Sequence, residues 1–151
     1  MKNPRLVILI LFLSSFINTT YAAEENQKTR LLIEDAWIAE APPVSKVMVA
    51  YMTLNNTGTE TITIIHAESD LYSSIEFHET IHKNGMARMI RHDNLTIPAN
   101  NKLELKRGGA HLMLFNPRKR LKTGDTVTIK LTTRSNKIKT ITVPVKKALY
   151  K

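Results

Sequence analysis

Apolar and polar positions alternate with a period of two through most of this chain, and no segment sustains an apolar period of 3.6 residues. The alternation predicts strands over Leu31 to Ala39, Lys46 to Leu54, Glu60 to Ala67, Ser73 to His82 and Met86 to Arg91. Further strands are expected over Leu103 to Leu105, His111 to Phe115, Thr126 to Thr133 and Lys137 to Val145. Both faces of Lys46 to Leu54 are largely apolar, which predicts a central strand covered on both sides. Between strands stand turn signals. Asn55-Asn56-Thr57-Gly58 predicts a turn, and Asn84-Gly85 predicts a tight hairpin of type I′. Gly108-Gly109 permits a sharp bend just before His111. Short strands at close spacing make this an all-β sandwich or barrel, with no internal repeat and no second domain.

The start of the chain departs from the alternation. Lys2 and Arg5 precede an apolar run from Leu6 to Phe16 that only Ser14 and Ser15 interrupt, followed by small residues around Ala22-Ala23. That is the layout of an export leader, and the run is too short for a comfortable membrane span. The expected organisation is a cleaved leader over 1–23, a polar lead-in over 24–30 and one folded domain over 31–151, in a periplasmic protein. Zero cysteines exclude disulfides, a thiolate zinc site, a thiol nucleophile and a blue-copper thiolate. Formal charge is +9, with much of the excess in Arg118-Lys119-Arg120 and the lysines after it. These cations are not interleaved with stacking aromatics, so nucleic acid is not expected as a partner; a solvated basic face is the first expectation and an acidic protein partner the second.

Chemistry concentrates between His78 and Met113. His111 and Met113 lie two apart on one strand and project from the same face. His78 lies on the strand entering the Asn84-Gly85 hairpin, and Met89 on the strand leaving it. Two imidazoles and two thioethers form a soft, uncharged donor set suited to Cu(I) and poorly suited to zinc, magnesium or calcium. Met48 and Met52 are expected to fill the core. Glu76 and Glu79 flank His78 and are expected to be solvent-facing or structural. No nucleophile elbow, phosphate loop or dinucleotide fingerprint is present, so the chain is not expected to be an enzyme. A zinc site drawn from His66, His78, His82 and His92 has no recognised spacing.

The order His78, ten residues, Met89, twenty-one residues, His111-Leu112-Met113 matches the H-x10-M-x21-H-x-M pattern of the PCuAC family of periplasmic copper chaperones. The surrounding text is similar to that family as well: FHE at 77–79, NGMARM at 84–89, IPANNKLELKRGGAHLML at 97–114 and LKTGDTV at 121–127. AWIAEAPP at 36–43 and AYMTLNNTG at 50–58 resemble its opening strands, so the likeness runs over nearly the whole mature chain. The resemblance implies a cupredoxin-like Greek-key β-sandwich or barrel. It implies Cu(I) held by His78, Met89, His111 and Met113, and delivery to the CuA-carrying subunit of cytochrome oxidase or to another copper assembly protein. One departure is Thr80, where many relatives carry methionine. Met86 and His82 are candidates for auxiliary donors or for a second, Cu(II) ion. A monomer is expected, meeting the membrane only through its partner. The competing expectations are a periplasmic copper buffer and a non-metal interaction module that uses its basic face on an acidic partner.

Overall fold

The computed structural model describes residues 30–148. The leader expected over 1–23, and all of the lead-in except Arg30, lie outside the described residues. Ten strands follow in order: β1 (Leu31–Ala39), β2 (Val47–Asn56), β3 (Ile62–Glu68), β4 (Ser74–Lys83), β5 (Met86–His92), β6 (Leu95–Ile97), β7 (Asn101–Leu105), β8 (Ala110–Phe115), β9 (Thr126–Thr133) and β10 (Ile138–Lys146). One sheet runs β5-β4-β8-β2-β1, with β7 continuing the line of β8 along the same side of β2. The other runs β10-β9-β3-β6, and a parallel pairing of β1 with β10 joins the two. The chain passes back and forth between the sheets, and their inner faces share one apolar core. Met48, Phe77 and Leu112 enter it from the first sheet, Ile64, Ile129 and Val143 from the second.

The alternation that predicts the strands also divides the first sheet into two surfaces. Ile75 and Phe77 of β4, Leu112 and Leu114 of β8, and Met48, Ala50 and Met52 of β2 are buried against the second sheet. The intervening residues face outward. Both expected core methionines are therefore core residues, 3% and 2% exposed. The expectation that β2 is covered on both sides needs correction. Its pattern is strictly buried and half-buried in turn, because Val47, Val49 and Tyr51 belong to the outward surface.

Local chain geometry sets the register. Asn84 and Gly85 both have positive φ, 52° and 75°, as a two-residue type I′ turn requires. Lys83 therefore pairs with Met86, Thr80 with Met89 and His78 with Arg91. In β1 the register shifts between Glu34 and Trp37, where Asp35 adopts a φ of 51°. This bulge turns Trp37 outward opposite Tyr51 and sends Ile38 into the core opposite Ala50.

Two elements differ from the expectation. β6 occupies a stretch over which no strand is expected; its three residues are too few to display a period, and pairing with β3 orders them. Asn55 and Asn56 belong to β2 rather than to a turn. Asn56 is fully buried because its side chain ties distant loops together. Its Nδ2 donates to the carbonyls of Glu60 (2.7 Å), Ile97 (3.1 Å) and Pro98 (3.0 Å), and its Oδ1 accepts from Gly58 N–H (2.9 Å). Another buried polar contact is weaker: the Tyr72 hydroxyl donates to the Met48 thioether at 3.2 Å, and burial pushes its ionisation up. Asn56→Ala leaves several buried backbone groups without partners and is expected to destabilise by about 2–4 kcal/mol. Tyr72→Phe removes a donor from a weak sulfur acceptor and is expected to cost about 1 kcal/mol or less. Urea unfolding of both variants checks this ordering.

Candidate metal centre

β4 and β8 run side by side in the first sheet, and their register sets His78 directly opposite His111. The two rings stack with centroids 6.2 Å apart and an interplanar angle of 30°. Met113 lies one row along, opposite Glu76, and Met89 lies one row the other way, opposite Thr80 on β5. All four predicted donors thus share the outward face, with the histidine pair at the centre and one methionine on each diagonal. Residues on such a diagonal are about 7–8 Å apart at Cα, within reach of a long thioether side chain.

Each imidazole has one nitrogen engaged. His111 Nδ1–H donates to the Gly109 carbonyl at 2.9 Å, which fixes the tautomer and leaves Nε2 with the lone pair. His78 is arranged the other way round. Its Nε2–H donates to Glu76 Oε2 at 2.8 Å, and Arg91 Nη1 approaches the same carboxylate at 3.5 Å. His78 Nδ1 is then buried with no hydrogen-bond partner. A buried ring nitrogen without a proton or a partner is costly to keep unless something electrophilic meets it. One nitrogen tethered to a carboxylate or carbonyl and the other carrying a lone pair is the arrangement of metal-binding histidines. The residues present therefore fit a soft metal ion.

The surroundings keep water from one side. Tyr51 lies 6.5 Å from the His111 ring, Trp37 packs at a tilt against Tyr51 at 5.0 Å, and the Arg107 guanidinium sits 5.4 Å over Trp37. Phe115 covers His78 at 6.3 Å. His111 is consequently only 5% exposed although it lies on the outward face. Accessibility rises toward the sheet edge: Met113 is half-buried and Met89 is 55% exposed. The structure sets His78 and His111 against each other, with Met113 and Met89 on the same face and Met89 the solvent-facing member.

Other sequence candidates fall elsewhere. Met86 pairs with Lys83, on the face opposite Met89, so it points away from the pair of rings. His82 shares their face but stands two alternations further along β4, toward the hairpin tip. His92 is on the opposite face, bonded to Glu79 at 2.9 Å, and His66 is in β3, 3.6 Å from Glu68. Among the described residues no group of three histidine, aspartate or glutamate side chains converges to hold a metal. Glu76 is the residue whose role the sequence reading understates. Its position two before His78 on a strand already assigns it to the same face, and that spacing is the signal that could have found it. The parts of Tyr51 and Trp37 depend on sheet pairing and carry no comparable local signal.

Similarity to known proteins covers the same region. The family described as putative lipoprotein LpqE-like matches residues 31–145. A putative lipoprotein of Leifsonia xyli subsp. xyli is 32% identical over 115 residues, which cover 76% of this chain and 68% of that one. The solution structure of CuI-DR1885 from Deinococcus radiodurans is similar with a TM-score of 0.65 and 35% identity, over 85% of this chain and 87% of that one. Its apo form gives 0.63 and 31%, over 99% and 98%. The copper-bound PCuAC domain from PmoF2, 20% identical, shares the cupredoxin-like fold with a TM-score of 0.66 over 79% of this chain and 94% of its own.

The two ring tethers make a spectroscopic prediction. In the metal-free protein His78 is expected as the Nε2–H tautomer and His111 as the Nδ1–H tautomer, which long-range nitrogen–proton correlation spectra distinguish. Glu76→Ala is expected to abolish the preference at His78 and to leave His111 unchanged. A His78 ring protonated at Nδ1 in the parent protein would contradict the assignment.

Proposed function

Since the chain belongs to the LpqE-like family, which is of PCuAC type, we propose that it binds Cu(I) and carries it to another protein. The observation that supports this reading most directly is the buried, unpartnered Nδ1 of His78, in a ring stacked beside that of His111. The proposed ligands are His78, Met89, His111 and Met113. Neutral imidazoles and thioethers leave the site with the single charge of Cu(I), so the lower oxidation state is favoured. The donors stand on strands held by a packed core, which fixes geometry without demanding any chemistry of the ion. The similarity to CuI-DR1885, at 35% identity, supports carrying the metal over to this chain.

Carrier function also accounts for the unequal exposure of the donors. A storage site gains from enclosing its metal, whereas here one of the four ligands stands in solvent. In this reading residues 1–23 direct export and are removed, and the domain over 31–151 works in the periplasm. Its recipient is the CuA-carrying subunit of cytochrome oxidase or a protein that assembles it. In this reading the protein acts as a carrier rather than a catalyst, with His78 and His111 committed to the metal.

Titration of the reduced domain with Cu(I) against a competing chromophoric chelator tests the site. One equivalent is expected to bind tightly. The Met89→Leu, Met113→Leu double variant is expected to keep its fold and lose on the order of 100-fold or more in affinity, beyond what losing a hydrogen-bond partner of a ligand typically costs. Equal binding by parent and variant would remove both thioethers from the site.

A further inference from the structure

β5 ends the first sheet, so among the described residues one of its sides has no strand beside it. The backbone shows which groups that side presents. Thr80 N–H turns to Gly109 O, the residue just before β8, at 3.1 Å. By alternation Glu79 and Ile81 turn their backbone groups to β5, where Ile90 and Arg88 are their partners. The residues between, Ala87, Met89 and Arg91, therefore aim their N–H and C=O groups at the open edge. Every residue from Met86 to Arg91 is exposed. Long exposed edges are usually blunted, since they template pairing with other chains. This one is blunted only by cations: Lys83, Arg88 and Arg91 lie on the hairpin, and no acidic residue occurs between Ile81 and His92. Cations deter a second copy of this chain and attract an acidic strand.

We propose that β5 is the docking edge for the copper recipient, and that the recipient adds an extended acidic segment carrying a thioether to this sheet. The inference rests on the Cu(I) reading of the site and names the kind of partner that site would serve. A strand added here lies about 4.8 Å from β5, and the residue opposite Met89 brings its side chain to the same face about 5 Å away. Exposure rises along the donors from His111 at 5% through His78, with its side chain at 14%, to Met89 at 55%. Handover begins at the exposed end: the Cu–S bond to Met89 breaks as a Cu–S bond to the incoming methionine forms. The copper stays Cu(I), and neutral thioether replaces neutral thioether with no proton moved.

A short synthetic peptide alternating threonine and glutamate around a central methionine serves as the probe. With the metal-free protein, it is expected to slow hydrogen exchange at the amides of Ala87, Met89 and Arg91 selectively. With the copper-loaded protein, it is expected to withdraw Cu(I) at a rate that falls as salt rises. Ala87→Pro removes one outward donor and no bond to β4, and Arg88→Glu reverses a charge on the face away from the donors. Both are expected to leave Cu(I) affinity unchanged and to slow transfer about tenfold or more. The proposal is overturned if the peptide protects none of the three amides, or if Ala87→Pro transfers as fast as the parent. Protection already present in the free monomer, or appearing with protein concentration alone, also overturns it by giving the edge to another segment or to a second copy. Because amide protection is read without copper, its failure is separable from a failure of the metal site, which chelator competition reports.

Discussion

One backbone oxygen couples the fold to the site. The Gly109 carbonyl accepts the Thr80 amide, which locks β4 in register against the start of β8, and also accepts His111 Nδ1–H, which orients that ring. The carbonyl can reach both because Gly108, with a φ of 72°, turns the chain through the left-handed region between β7 and β8. The same hydrogen bond that aims the ring also makes its burial tolerable, since a buried imidazole N–H without an acceptor is destabilising. Strand register and donor-atom identity are therefore decided together.

The two faces of the first sheet obey different rules. On the inner face, volume and packing govern, and Leu112 and Leu114 have no surface left to water. On the outer face, half-exposed side chains are judged by chemistry and access. The parts are held differently too. The histidines stand on β4 and β8, which have strands on both sides, while Met89 stands on a hairpin arm at the sheet edge. Flanking strands thus support both proposed nitrogen donors, and the proposed sulfur donor Met89 has a neighbouring strand on one side among the described residues.

Alternation alone located nine of the ten strands, because a half-buried strand writes its orientation into every second residue. What it missed follows from interactions that are not periodic. β6 is three residues ordered by β3, and Asn56 is drawn into the interior by carbonyls 41 and 42 positions away. The outward turn of Trp37 hinges on a bulge at Asp35 that composition does not announce. The shared face of His78 and Met89 was readable because their register comes from a two-residue turn whose chemistry is local. By the same logic Met86 could have been set on the wrong face from the Asn84-Gly85 turn, and Glu76 on the right one from its distance to His78.

Because the inner and outer residues of β8 are adjacent in sequence, a slip of one position against β4 would exchange them wholesale. Leu112 and Leu114 would emerge into water, and His111 and Met113 would enter the core without partners. No partially correct arrangement keeps both the packing and the donors. The strand thus carries its own check on register: a chain settled one residue out would expose its leucines and lose the common face on which the proposed donors stand. Packing and the placement of the proposed donors are therefore kept or lost together, before any ion is bound.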